Sequence, residues 1–161
     1  MLGLRRVLAV LGVLSALVWV GSAAANAAGN PGRQPLPTPP DVVGPLCGEA
    51  MGTIVAHVSV DRQYIKTFTA KDGTVKYQVN GFAAVTVSGN GKTVTVNASG
   101  PGSITLYSDG NVAFVLEGHT IYLAPPSGGV WVYTGLVLFD ANTGTVISHN
   151  GHTTDVCALL K

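Results

Sequence analysis

From residue 53 onward, apolar and polar side chains alternate with a period of two, interrupted at short intervals by Asp-Gly and Asn-Gly pairs. No other feature constrains the fold as strongly. Period-two alternation gives a strand one inward face, and Asp-Gly or Asn-Gly supplies the positive φ that tight hairpin turns need. The pairs are Asp72-Gly73, Asn80-Gly81, Asn90-Gly91, Asp109-Gly110 and Asn150-Gly151. Antiparallel pairing of neighbouring segments follows, and with it an all-β domain.

Not every pair is expected to turn the chain. Val75, Tyr77, Val79, Ala83, Val85 and Val87 stay in phase through Gly81, which places Asn80-Gly81 inside one long strand. Val94, Val96, Ala98, Ile104 and Leu106 are in phase across Gly100-Pro101-Gly102, a second long strand with a bend. Val112, Phe114 and Leu116 precede Ile121 and Leu123, which have slipped by one position, and a β-bulge at Gly118 would restore their facing. Interior glycines let strands curl, as a small barrel or a strongly coiled sheet requires. A first hairpin over Thr53 to Val60 and Gln63 to Thr69, and strands near Val130 to Phe139 and Thr145 to Ser148, bring the count to seven to nine. The expected fold is an antiparallel up-and-down β-barrel, with a β-sandwich as the alternative and no helix in the domain.

The N-terminus reads differently. Arg5 and Arg6 precede an apolar run from Val7 to Val20, and Ala25-Asn26-Ala27 has the small-x-small pattern of a cleavage site. Residues 1–27 are therefore expected to be a secretory signal peptide removed after Ala27. The run of 14 residues is short of the ~20 needed to span a bilayer as a helix, so no transmembrane segment is expected once the signal is gone. Residues 28–46 carry prolines at 31, 35, 37, 39, 40 and 45 and read as an extended linker, leaving 47–161 as the all-β domain. The protein is expected to be secreted, free in the medium or retained at the cell envelope.

Export gives the two cysteines their meaning. Cys47 and Cys157 lie near the ends of the domain, and in an oxidising compartment they are expected to form a disulfide. Closing so long a loop contributes about 4 to 5 kcal/mol in the chain-entropy model and obliges the two ends to meet.

Charge excludes one class of partner at this level. Charged residues are 11% of the chain, and without Arg5 and Arg6 seven basic residues stand against eight acidic ones. The lysines are scattered singly along the sequence, with no basic stripe for nucleic acid.

Chemistry-bearing motifs are sparse. His149-Asn150-Gly151-His152 with Asp155 is the densest set of metal-ligating side chains, but on a turn this spacing lacks any zinc signature, so no metal or other cofactor is expected. His57 and His119 stand alone. Glu49, Asp61, Asp72, Asp109, Glu117, Asp140 and Asp155 mark turns or strand edges, without an evident acid and base pair. No Gly-x-Ser-x-Gly elbow frames a serine. Trp131, Tyr133 and Phe139 share one face of a strand whose opposite face carries Val132, Leu136 and Leu138. That aromatic stripe, lining a cavity or packed beneath the loop from Ala124 to Gly129, is the candidate ligand surface.

Asn90-Gly91-Lys92-Thr93-Val94-Thr95-Val96-Asn97-Ala98-Ser99-Gly100-Pro101-Gly102, with Asp109-Gly110 and the terminal Thr154-Asp155-Val156-Cys157-Ala158-Leu159-Leu160, resembles a family of secreted, β-rich actinobacterial proteins of unknown function. The resemblance covers residues 47–160 and implies export, a β-rich domain and a high-GC Gram-positive host. It carries no catalytic residue across.

The functional expectation is a non-enzymatic extracellular binding or interaction module for a small apolar molecule, a glycan or a protein. The alternatives are a secreted enzyme with a spatially assembled site around His149, His152 and Asp155, and a passive envelope component.

Overall fold

Turn chemistry is the most local determinant of the fold. Asp72 Oδ1 accepts a hydrogen bond from the Thr74 amide at 2.9 Å and Asp109 Oδ1 one from the Asn111 amide at 2.9 Å, so both Asp-Gly pairs sit in side-chain-closed turns. Asn90 and Gly91, with φ of 50° and 70°, form a third tight turn. The computed structural model describes residues 32–124, 128–140 and 143–161. The expected signal peptide, the first residues of the expected linker and parts of the loops after Ala124 and Asp140 lie outside the described residues.

Among the described residues ten strands are formed: β1 Gln34–Pro35, β2 Val42–Gly44, β3 Ile54–Thr69, β4 Val75–Gly89, β5 Lys92–Asn97, β6 Gly102–Leu106, β7 Val112–Leu116, β8 His119–Ala124, β9 Gly129–Asp140 and β10 Val146–Asp155. A 3-10 turn covers Glu49–Met51, and a one-turn helix α1 covers Val156–Leu159. All pairing is antiparallel. The strands follow the order β1-β3-β4-β6-β7-β9-β10, with β2 on β3, β5 on β4 and β8 on β9. The path from β1 to β10 is open.

Three long strands change partners along their length, the first being β3, which pairs with β2 through Ile54–Ala56 and with β1 through Tyr64–Ile65. β4 pairs with β6 through Val75–Val79 and with β5 through Ala84–Gly89. β9 pairs with β8 through Gly129–Thr134 and with β7 through Val137–Asp140. The change on β9 falls at Gly135, which is the direct partner of Gly151 on β10. A Cβ on Gly135 would overlap the Asn150 carbonyl oxygen, and one on Gly151 would overlap the Thr134 carbonyl oxygen. The Gly135 amide also donates to the Gly118 carbonyl at 2.7 Å. Glycines on neighbouring strands thus line a crease across the sheet, where backbones approach more closely than side chains allow.

The crease explains why both faces of β9 are apolar. Val130 and Val132 are buried before it, Val137 and Phe139 after it, so the inward face changes from even to odd positions. Val130 and Val132 join Ile54, Ala56, Val85, Val87 and Ile121 in a core closed by Val156, Cys157 and Leu160 of the C-terminal turn. Complete burial of a valine or leucine of this kind stabilises by about 1.5–3 kcal/mol. Asp155 caps α1 by accepting the Ala158 amide at 3.1 Å. The Asn90 side-chain amide donates to the Leu160 carbonyl at 3.0 Å, tying the β4–β5 turn to the C-terminus.

The Cys47–Cys157 disulfide is formed, with its Cα atoms 5.4 Å apart. It joins the segment before the 3-10 turn to α1, so the ends of the domain do meet.

Several local expectations are corrected. Residues 54–69 form one strand, not a hairpin: where the turn was expected, Asp61 and Arg62 pair with Ala83 and Phe82, and the register shift lies upstream, between Val58 and Val60. The second and third long strands are each divided, at residues 98–101 and at 117–118, giving ten strands instead of seven to nine. Asn150-Gly151 lies within β10, since its pairing with Leu136 and Gly135 is uninterrupted. Part of the expected linker is extended but not free: Gln34 and Pro35 pair with Ile65 and Tyr64, Val42 to Gly44 pair with Ala56 to Ile54, and Leu36 is buried. Proline is tolerated there because both segments are short edge strands. The domain also carries α1, where no helix was expected.

Candidate functional site

The β3–β4 ribbon presents the most distinctive surface. Its two strands stay in register from Val60 to Thr69, with Tyr64 opposite Asn80, Lys66 opposite Gln78 and Phe68 opposite Lys76. Strand alternation sends Gln63 and Ile65, both buried, inward and their neighbours outward. Arg62, Tyr64, Lys66 and Phe68 of β3 therefore share the outer face with Lys76, Gln78, Asn80 and Phe82 of β4. Tyr64 is 43%, Phe68 42% and Phe82 46% exposed, high values for rings on regular strands.

A shallow cleft of about 300 Å³ opens on this face, lined by Arg33, Tyr64, Lys66, Phe68, Gln78 and Asn80. Arg33 arrives from the segment leading into β1, whose pairing with Tyr64 and Ile65 fixes its place. The Lys66 ammonium lies 4.9 Å from the centroid of the Phe68 ring, a cation-π contact at a partly exposed site. Asp61 is the one carboxylate on either strand. It falls on the inner parity, and its Oδ1 accepts the Gln63 amide at 3.0 Å. The outer face thus combines flat rings, side-chain amides and cations without an acidic neighbour on either strand.

The aromatic stripe expected on β9 is brought together only in part. Tyr133 and Phe139 both contact Tyr122 of β8, at ring-centroid distances of 6.2 and 5.7 Å, and Tyr133 also meets His149 at 5.1 Å. Trp131, the register partner of Tyr122, donates its indole N–H to the Gly128 carbonyl at 3.2 Å. Phe139 is buried. These rings spend much of their surface on one another, and burial pushes the Tyr122 and Tyr133 phenols above their ordinary pKa.

The histidine cluster is dispersed. Because His149 and His152 lie on a continuous strand three positions apart, they point to opposite faces. His149 Nε2 bonds Thr153 Oγ1 at 3.1 Å, while Asp155 is engaged as the cap of α1. Among the described residues no group of three or more His, Cys, Asp or Glu side chains is placed to hold a metal ion. His57 Nδ1 lies 2.7 Å from Asp41 Oδ1, an exposed pair linking β3 to the segment before β2.

Sequence reasoning missed the β3–β4 face because the residues that build it face each other across two strands at separations from 8 to 20 positions, and the expected turn near Asp61 divided the first strand. The available signal was the alternation Arg62, Tyr64, Lys66, Phe68, in which every second residue is aromatic or basic.

No helix among the described residues is long and apolar enough to cross a membrane. Comparison of the chain with protein-family models, with curated proteins and with solved structures finds no match.

Proposed function

We propose that this protein is an exported, non-enzymatic binding module whose ligand lies along the outer face of β3 and β4. The single observation that carries the reading is the exposure of Tyr64 and Phe68 on one face, with the amides of Asn80 and Gln78 beside them in register. Aromatic faces stack on the C–H faces of sugar rings, and side-chain amides both donate to and accept from hydroxyl groups. Positions four apart on a strand are separated by roughly 13 Å, wider than one sugar ring, which suits an extended glycan better than a single small molecule. The disulfide is compatible with an oxidising compartment, and the sequence of residues 1–27 supports export.

The test is a glycan array probed with the disulfide-bonded protein and with a Tyr64→Ala, Phe68→Ala double variant. Both rings are exposed, so the variant is expected to keep its thermal midpoint while losing its array signals. An array that stays dark, or signals that the double variant retains, would overturn the reading.

A further inference from the structure

Charge on the β3–β4 face points to a narrower class of ligand, and the inference rests on the glycan-binding reading above. Seven basic residues lie between positions 32 and 161, and the register gathers four of them, Arg33, Arg62, Lys66 and Lys76, around Tyr64 and Phe68. Composition does not require this, because the mature chain is close to neutral. The only carboxylate on the two strands, Asp61, takes the opposite parity. Across β6 the same row continues with Ser103 opposite Gln78 and Thr105 opposite Lys76, so hydroxyls and not acids extend the surface.

We infer that the ligand is an acidic polysaccharide, a chain of sugar rings bearing carboxylate or sulfate groups at intervals. Arg62 and Lys66 stand four positions apart, roughly 13 Å along the strand, while a nucleic-acid strand in a duplex carries a phosphate every ~3.4 Å. Arg33, just before β1, and Lys76 of β4 lie on the segments flanking Lys66, with Arg62 set apart from them, and this group of cations is interleaved with rings and amides, which suits a polymer whose charged groups are joined by neutral, hydroxyl-rich stretches. Lys66 has an evident role in this arrangement. In the free protein its ammonium rests on the Phe68 ring, and an anionic group on the ligand would draw it away, uncovering the ring for stacking.

The experiment is affinity electrophoresis of the disulfide-bonded protein through gels containing polygalacturonate, hyaluronan, chondroitin sulfate or neutral xylan, with oligothymidylate as a competitor. Retardation is expected in at least one acidic gel and not in xylan, and it should decline as salt is raised. An Arg62→Gln, Lys66→Gln variant should bind roughly tenfold more weakly, as expected for losing two charge-assisted contacts. Lys92→Gln, on β5 and away from the face, should bind as the unaltered protein does. Retardation by xylan equal to that in the acidic gels, and unchanged in the double variant, would overturn the acidic ligand while leaving the glycan-binding face intact. Displacement by oligothymidylate at lower concentration than by the acidic glycan would identify a nucleic-acid strand instead. Passage through every gel without retardation would remove both readings.

Discussion

The rings of Tyr122 and Phe139 are in contact, with centroids 5.7 Å apart, although Tyr122 pairs in register with Trp131, eight residues before Phe139 on β9. In a straight strand those eight residues would span roughly 27 Å, beyond the reach of any two side chains. β9 therefore folds toward its odd face at Gly135, and Tyr122, Tyr133, Phe139 and His149 gather on the concave side of that bend. The bend keeps the β9 aromatic stripe from standing as a flat platform, whereas the β3–β4 face displays the exposed rings of Tyr64, Phe68 and Phe82.

If the crease depends on the absence of a side chain, Gly135→Ala must push against the Asn150 carbonyl at a φ of 113°. A loss of about 2–3 kcal/mol is expected in urea unfolding. Gly44→Ala, where an added Cβ meets nothing within 4 Å, should change stability by less than about 0.5 kcal/mol. Equal effects of the two substitutions would show that close approach at Gly135 is not what bends the strand.

The disulfide fastens α1 and the segment ending at Cys47 to the same end of the core. Replacing both cysteines with alanine should lower unfolding free energy by about 4 kcal/mol, since the bond spans a separation of 110 residues. The denaturant midpoint of the double variant measures this directly, and a midpoint unchanged from the oxidised protein would contradict it.

Burial raises the Tyr122 and Tyr133 phenols, with Tyr122 adding to the rise at Tyr133. Both folded and unfolded chains hold these phenols protonated well below the ordinary value of 10.0. As pH rises through that value the unfolded chain ionises first, so the contribution of this pair is present below about pH 10 and is lost as pH climbs to the folded pKa values. Alkaline titration followed by phenolate absorbance should show two tyrosines ionising late. Tyr122→Phe should remove one of them, and five tyrosines titrating together would count against the cluster.

Asp155 acts as a helix cap. Asp155→Ala should cost about 1 kcal/mol and Asp155→Asn much less, because asparagine also caps. Amide exchange at Ala158, whose N–H the carboxylate accepts, is the local readout. Unaltered exchange in the alanine variant would remove the cap from the account.

Legibility followed distance along the chain. Asp72-Gly73, Asn90-Gly91 and Asp109-Gly110 were readable as turns because the atoms that close them lie within a few residues of one another. Asn80-Gly81 was readable as strand interior because its flanks keep phase. Asn150-Gly151 carries the same dipeptide, and only its pairing with Leu136 and Gly135 shows that it continues a strand. The three His149, His152 and Asp155 ligand candidates were neighbours in the text, yet a continuous strand turns the two histidines to opposite sides.

By itself the sequence determined the all-β class, the antiparallel turns and the pairing of Cys47 with Cys157, since alternation, turn residues and the cysteine count act locally or leave one choice. The tertiary structure alone decided which face of β9 is inward at each end, and which scattered cations share a surface with Tyr64 and Phe68. Those outcomes depend on register between strands distant in the chain, and a shift of one residue would send every side chain on a strand to its other face.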